Sequence, residues 1–555
     1  MKRFILGILC AIAAAAPALS QVQKDSLANL IQSGNRKAAL ERIRAGADVN
    51  QPQGDGTRPI HWAVFRADYE LVEALIAKKA KVNVTNEFGG TPLAEAVKLA
   101  DARLVKMLLD TGSGAEGANE EGQTALMLAI KTGDLSIVKM LVGAGANVNA
   151  VEKVQDQTPL MWAAAATRNA AEMVKVLLSK GANVKARARY SDWPSQITSE
   201  PRAQYRPVGG LTPLLYAARG GCLECVEALV AAGAEVNVPT PEGVTALIIA
   251  LDNDHNDVAK FLLDHGANPN VWDWWGRTAL YIVIDRKEGG SSGGLGGARG
   301  AGGGRGGPGG SNVRGRTLVS HMDIINALLA VGVDVNPQLN THRPSRGGNS
   351  GRFIDPLLNT GCTPLLRAVM GNDMEVARVL LDRGANPNIV AMGLTPFLVA
   401  AGVSTGGRGG GGTGAAPNTQ LMDLVLQHGA NVNAQVSGTK TYSMRIARSP
   451  SPNEGMTGLH AAAQLGRVEI VRYLLDHGAT TTIVDDNGRT PMDLLAGAAG
   501  PAARGASAPP AGNPANAAGA RGSGAGAPPG GGGQRGVSAA TAAEIRTLLQ
   551  GAASR

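Results

Sequence analysis

Two cysteines three positions apart, Cys222 and Cys225, have the spacing in this 555-residue chain that most resembles a reactive site. A Cys-x-x-Cys pair at the start of a helix can carry out redox chemistry or supply half of a zinc site. No second cysteine pair completes four zinc ligands, because Cys10 and Cys362 stand alone. Whether the pair is reactive depends on where the fold places it.

The other residue types that carry chemistry form no catalytic pattern. The eight histidines include no His-x-x-x-His pair, and we find no Ser/His/Asp order or paired carboxylates. The run GARGAGGGRGG lacks the Lys-Ser or Lys-Thr of a phosphate loop. We therefore predict no enzyme activity, no cofactor, no metal site and no small-molecule substrate.

Tryptophan is concentrated in one polar segment, NPNVWDWWGRT. Three of the six tryptophans, Trp272, Trp274 and Trp275, fall there, although aromatic residues make up only 3% of the chain. Such a cluster either anchors a partner, since Trp dominates interface hot spots, or packs on a neighbouring loop such as the one that holds Trp193.

An internal repeat positions all of these residues. Variants of the motif Gly-x-Thr-Pro-Leu begin eleven segments. The segments start at Gly56, Gly89, Gly122, Asp156, Gly210, Gly243, Gly276, Gly361, Gly393, Gly455 and Gly488. Where the repeat is uninterrupted, successive Thr residues lie 33 positions apart, as from Thr91 to Thr124.

Each segment predicts a pair of helices. Thr can cap the first helix with Pro in its first turn, and Leu and Ala recur at helical spacing. A second apolar helix ends at Gly-Ala-x-x-Asn, where Gly permits a left-handed cap. One unit cannot bury its apolar faces alone, so neighbouring units must stack.

A period of 33 with these signatures resembles the ankyrin repeat, over nearly all of residues 24–550. The resemblance implies an all-α solenoid of helix-turn-helix units joined by hairpin-like loops, called fingers, which binds partners without chemistry of its own. In register, Cys225 takes the core position of Ile470 and Cys222 the exposed position of Arg467. We therefore interpret the cysteines as packing residues.

Departures from the period divide the chain into repeats and inserts. The repeats occupy residues 24–285, 320–402 and 419–496, with a C-terminal capping helix at 539–550. Glycine-rich inserts at 286–319, 403–418 and 497–538 fall at helix–helix turns, where we expect disordered filler. Three other inserts, which follow Val184, Asn336 and Asn433, lengthen the fingers.

The inserts carry the positive charge. The whole chain has a formal net charge of +8, but the repeats without the inserts are net acidic. The basic fingers suggest a partner with an acidic surface; the alternative is that they are solvated loops without a partner.

The N-terminus predicts export. Lys2 and Arg3 precede an apolar stretch from Phe4 to Ala16, and small residues stand at Ala18 and Ser20. This pattern is typical of a signal peptide of residues 1–20 and is too short to span a membrane. We expect a periplasmic or secreted chain with no transmembrane segment after cleavage.

The sequence thus predicts a monomeric scaffold for protein–protein interaction through fingers and inner helices. Polyanion or nucleic-acid binding by the basic loops and delivery into a host cell are the alternatives. The candidate partner-binding residues are Trp272, Trp274, Trp275, Arg277, Arg187, Arg189, Tyr190, Trp193, Tyr205, Arg206, Arg445 and Arg448.

Overall fold

The computed structural model describes most of the repeats. The described residues are 26–191, 208–273, 276–288, 319–339, 361–391, 393–403, 416–438, 442–443, 446–447, 451, 453–496 and 537–554. The predicted signal peptide and the greater part of each predicted insert lie outside them. None of the helices in the described part is long and apolar enough to cross a membrane.

The chain divides into two compact units, residues 1–333 and 334–555. The first unit contains eight helix pairs within its described residues. Its helices are α1 Leu27–Gln32, α2 Arg36–Arg44, α3 Pro59–Phe65, α4 Tyr69–Ala77, α5 Pro92–Lys98, α6 Ala102–Asp110, α7 Ala125–Thr132, α8 Leu135–Gly143, α9 Pro159–Ala164, α10 Ala170–Ser179, α11 Pro213–Gly220, α12 Leu223–Ala231, α13 Ala246–Asp252, α14 Asn256–Asp264, α15 Ala279–Lys287 and α16 His321–Ala330. The antiparallel strands β1 Tyr190–Ser191 and β2 Val208–Gly209 form a short hairpin at the base of the first basic finger.

The second unit has the same construction. Its helices are α17 Pro364–Met370, α18 Met374–Asp382, α19 Pro396–Ala400, α20 Thr419–Gln427, α21 Gly458–Gln464, α22 Val468–Asp476, α23 Asp493–Ala496 and α24 Ala539–Ala553. The antiparallel strands β3 Tyr442–Ser443 and β4 Ile446–Ala447 belong to another basic finger. The predicted all-α fold is confirmed, with these two-residue strands as minor additions.

The first helix of each pair starts as the motif predicts. Thr212 is an extended N-cap whose hydroxyl oxygen accepts a hydrogen bond from the backbone N–H of Leu215, and Pro213 stands in the first turn. Thr158 and Thr363 cap their helices in the same way. The hydroxyl oxygen accepts a hydrogen bond from a backbone N–H that has no partner inside the helix. The position of Thr therefore sets where the helix begins.

The second helix of most pairs ends at a left-handed glycine, as predicted, although Lys79 takes this conformation after α4. Gly181 has φ +80° and Gly233 has φ +90°. A side chain at such a φ is strained, which explains the recurrence of glycine there.

An asparagine then ties each repeat to the next. The Asn149 side chain accepts a hydrogen bond from the Asn183 backbone N–H at 2.7 Å and donates one to the Gly181 carbonyl at 3.0 Å. Asn237 and Asn388 form the same two bonds with their following repeats. The bonds fix the spacing of the fingers, because the asparagine amide satisfies a donor and an acceptor of the neighbouring turn.

The core lies between successive helix pairs. Helix α7 packs against α5, α8 and α9, and its Leu126, Met127 and Ala129 are fully buried. Within the stack of a unit, an inner pair such as α7 and α8 buries one apolar face against the pair before it and another against the pair after it. Stability therefore depends on the stack rather than on any single repeat.

Helices pack together across each of the three glycine-rich inserts. Helix α16 packs on α15, although residues 288–320 separate the two helices in sequence, and α20 packs on α19 across residues 403–418. Helix α24 packs on α22 across residues 497–538, and Arg472 pairs with Glu544 at 2.7 Å.

Candidate functional site

The fingertips of the first unit form a connected row. At the tips, the Lys153 backbone N–H donates to the Glu121 carbonyl at 2.8 Å, and the Arg189 N–H donates to the Gln155 carbonyl at 2.7 Å. Five large apolar side chains on these fingers are exposed: Phe88, Val151, Val154, Tyr190 and Trp272. Exposed aromatic residues on a rigid row are suitable contacts for a partner protein.

Trp272 is the most exposed tryptophan in the described part of the chain, at 63%. Its backbone bridges Thr278 in the same turn, and its carbonyl oxygen lies against Gly243 of the preceding finger. The backbone is therefore fixed while the ring is presented to solvent. Trp274 and Trp275, which the sequence groups with it, lie outside the described residues.

Arg277 is not an exposed contact residue, which corrects the sequence-based prediction. Its side chain is 4% exposed, and its guanidinium pairs with Asp273 at 2.7 Å and with Asp252 at 3.0 Å. Burial alone would lower the pKa of Arg277, but the two carboxylates raise it above its usual value. Arg277 joins the base of its finger to the end of α13 and is unavailable to a partner.

The basic residues of the first long finger also make internal contacts. Arg189 binds both carboxylate oxygens of Asp156, at 2.8 and 3.0 Å, and the Arg187 guanidinium donates to the carbonyls of Gly210 and Pro239. Arg187 also lies over the Tyr190 ring, 5.2 Å from its centroid. All three side chains remain exposed, so they hold the finger base and still present charge and an aromatic ring.

Five further candidates belong to the basic fingers. Trp193, Tyr205, Arg206, Arg445 and Arg448 lie outside the described residues. Their proposed contact with a partner stays a prediction.

A groove of about 420 Å³ lies along the inner helices α7, α9 and α11. Trp162 and Tyr216 line it, together with Met161 and Gln157. The Gln157 amide donates to the Tyr216 hydroxyl oxygen at 2.7 Å, and burial raises the pKa of Tyr216. The phenol therefore stays neutral and supplies a polar atom beside the apolar side chain of Met161 and the indole ring of Trp162.

One polar group in this groove is unsatisfied. The Trp162 indole N–H is buried and has no hydrogen-bond partner among the described residues. The indole of Trp62, in the same motif position of an earlier repeat, donates to the Gln53 side chain at 2.7 Å. A buried donor without an acceptor is costly, so a ligand that reaches the indole nitrogen and supplies an acceptor would be favoured.

The rim of the groove is positive. Lys131, Arg168 and Arg219 line it, and Lys131 and Arg219 form no ion pair within the described part of the chain. Arg219 lies over the Tyr216 ring at 4.9 Å, while Arg168 donates to the Thr132 carbonyl at 2.5 Å. The arrangement attracts an anionic group next to an apolar one.

The sequence analysis missed this groove. Trp162 and Tyr216 each stand four residues after the capping Thr, in TPLMWAA and TPLLYAA. Other repeats place Glu95, Leu128 or Ile249 there. Comparing that position between repeats would have shown two aromatic residues in consecutive units.

The cysteine pair differs from the packing interpretation. Cys222 and Cys225 form a disulfide, with Cα atoms 5.2 Å apart, while Cys362 is a buried free thiol. Cys225 does occupy the core, with no exposed surface. No cluster of three His, Cys, Asp or Glu side chains suited to a metal ion occurs among the described residues.

Family models support the repeat assignment. The model described as "Ankyrin repeats (3 copies)" matches residues 27–117, 100–188, 197–287 and 415–500. The model described as "Ankyrin repeat" matches residues 360–391. Together these segments cover more than half of the chain.

Several known proteins are similar in sequence to parts of this chain. Human mitochondrial disaggregase is 32% identical over 190 residues, which are 33% of this chain and 24% of that protein. The E3 ubiquitin-protein ligase KEG of Arabidopsis thaliana is 28% identical over 370 residues, 63% of this chain and 19% of the ligase. The mouse B-cell lymphoma 3 protein homolog is 30% identical over 149 residues, 23% of this chain and 33% of that protein. The chain thus spans a third or less of the length of each.

Proposed function

The chain belongs to the ankyrin repeat family, and we propose that it is a non-enzymatic scaffold that binds a partner protein along the inner helices and fingers of its first unit. Ankyrin repeats commonly mediate protein–protein interaction. Two of the similar proteins are enzymes by name, but this chain matches only a minor part of each.

The groove of Trp162 and Tyr216 carries the proposal. It combines an aromatic wall, an indole donor without a partner and two cations, Lys131 and Arg219, without ion pairs among the described residues. Buried aromatic rings and arginine supply most of the binding energy in protein interfaces. The fingertip row adds further exposed aromatic side chains outside the groove, Trp272 among them.

The partner's chemistry follows from the groove. An apolar side chain would contact the Trp162 ring, and a neighbouring carboxylate or carbonyl would accept from the indole N–H. A second carboxylate on the same segment would approach Lys131 and Arg219. The groove therefore fits a peptide segment in which acidic and apolar residues are adjacent, on a partner with an acidic surface.

Export is a further part of the proposal and rests on residues 1–20. Expression of the full chain in a bacterial host, fractionation and intact-mass measurement test it. A periplasmic product that starts near residue 21 supports export, whereas an uncleaved chain in the cytoplasm contradicts it.

An array of acidic–apolar peptides tests the binding mode. The variant K131E/R219E reverses the charge of the rim, and K139E/K175E is its control, because Lys139 and Lys175 are exposed on the outer helices α8 and α10. We expect the rim variant to lose affinity at least about tenfold, the equivalent of 1.4 kcal/mol, and the control to be unchanged.

Two results would overturn the proposal. Equal peptide binding by both variants would exclude the groove as the peptide-binding site. Salt-dependent binding to heparin by every variant, with no peptide retained, would instead support the polyanion alternative.

A further inference from the structure

The disulfide between Cys222 and Cys225 lies at the start of α12, and the two cysteines have different environments. Cys222 is the N-cap residue and is partly exposed, whereas Cys225 is fully buried. The imidazole of His255 lies against Gly221, the residue that precedes Cys222, and contacts the Arg219 carbonyl at 3.2 Å. Because Cys225 is fully buried and Cys222 is partly exposed, solvent and other molecules approach the disulfide from the Cys222 side.

Other repeats show what the position of Cys222 can hold. Asp101, Asp134 and Asp373 are the N-caps of α6, α8 and α18, and each carboxylate accepts the backbone N–H three residues further on. The Cys222 sulfur accepts the Cys225 N–H at 3.2 Å in the same way. The site is thus built for an anionic atom, and a Cys222 thiolate would occupy it as the aspartates do.

Other repeats also show what the position of Cys225 can hold. The corresponding residues Leu104, Ile137 and Val376 are buried apolar side chains. A protonated cysteine behaves there as a small hydrophobic residue. The same fold therefore accepts both the disulfide and the reduced pair, and the bond closes a loop so short that it restricts the unfolded chain little.

We propose that Cys222–Cys225 is a thiol–disulfide exchange site that reacts at Cys222 with external thiols. The thiolate of a small thiol or of a protein cysteine attacks the Cys222 Sγ and forms a mixed disulfide. The bond to the Cys225 Sγ breaks, and that sulfur leaves with the electron pair and takes a proton from solvent. Attack by Cys225 on the Cys222 Sγ reverses the step and releases the external thiol.

Full-length protein, kept folded, tests the proposal by peptide mapping in a mass spectrometer. One arm uses glutathione and the other uses reduced, unfolded lysozyme as the protein thiol. The variant C225S has no disulfide for a thiol to attack, so it is treated with oxidised glutathione: its Cys222 thiolate attacks one sulfur, reduced glutathione leaves, and the mixed disulfide accumulates because no Cys225 thiol resolves it. The variant C222S should form none, and buried Cys362 serves as the internal control for access.

The expected result is a mixed disulfide at Cys222 in the folded wild-type protein treated with a thiol, and about tenfold or more of it in C225S treated with oxidised glutathione, since resolution by Cys225 is lost there. Reaction with glutathione alone would show that the site exchanges with small thiols. Reaction with lysozyme as well would show that it also exchanges with protein thiols. A disulfide that opens only after the protein unfolds, as judged by circular dichroism, would overturn the proposal. A C225S protein whose Cys222 reacts no faster than Cys362 would do the same.

Discussion

Arg277 and Asp252 join consecutive repeats through a buried ion pair 3.0 Å long. Arg277 begins one repeat and Asp252 ends the inner helix of the repeat before it. The pair therefore anchors the turn that presents Trp272 to the inner helix of the preceding repeat.

Replacing Arg277 with Met should destabilise the first unit by about 3–5 kcal/mol, because the buried carboxylate of Asp273 and the part-buried one of Asp252 lose this counter-charge. Urea unfolding followed by circular dichroism measures the loss. Arg489→Met is the control. Arg489 pairs with Asp485 in the equivalent turn but is 40% exposed, so water can replace part of the interaction. An equal loss in both variants would contradict the importance of burial.

Replacing Trp272 with Ala should leave stability within about 0.5 kcal/mol of the parent, since the ring is exposed. Binding of any partner captured through the fingers should fall about tenfold or more, as expected for an exposed aromatic anchor. Surface plasmon resonance measures binding and thermal unfolding measures stability. Unchanged binding would remove Trp272 from the interface.

Replacing Trp162 with Phe should weaken binding of the acidic–apolar peptide about three- to tenfold, because the ring stays and the unpartnered indole donor is lost. Trp62→Phe is the matched control, since its donor is already satisfied by Gln53. Peptide binding by fluorescence anisotropy distinguishes them. Equal effects would mean that the Trp162 N–H contacts no ligand.

Replacing Asn149 with Ala removes two inter-repeat hydrogen bonds and should cost about 1–3 kcal/mol. Asn149→Asp keeps an acceptor for Asn183 but sets a carboxylate oxygen against the Gly181 carbonyl in place of the donor, so it should cost at least as much as the alanine. Urea unfolding measures both variants. A loss below about 0.5 kcal/mol for the alanine variant would contradict this role.

Acidification should destabilise the fold through His61 and His460. Burial lowers the pKa of both imidazoles below 6.5, although hydrogen bonds to the Gly90 and Arg489 carbonyls oppose the shift. Below pH 6.5 the unfolded chain binds protons that the folded chain does not, so stability is complete above 6.5 and falls as the pH decreases through the lowered pKa values.

Urea midpoints at about pH 7.5 and 5.5 test this effect, because carboxylates such as Asp254, whose pKa lies below 3.8, stay charged in that interval. His460→Gln should flatten the dependence. Stability that is constant between the two pH values would show that the imidazoles do not control it.

Local chemistry made much of the fold predictable. Thr at the cap, Pro in the first turn and Gly after the second helix act within a few residues, so the helix pairs could be placed from their motifs. The candidate site was less predictable. Arg277 carries the same charge whether it faces a partner or Asp252. The spacing of residues in the sequence does not show which of these two groups it contacts.

By itself, the sequence determined the repeat, its period and the order of helices, because those depend on local capping and on apolar spacing along one helix. Only the tertiary structure decided that Arg277 is buried, that Cys222 and Cys225 are bonded, and that Trp162 and Tyr216 share a groove. Stacking creates the Arg277 ion pairs and the groove, because both join different repeats, whereas the disulfide depends on the side-chain geometry at one helix start.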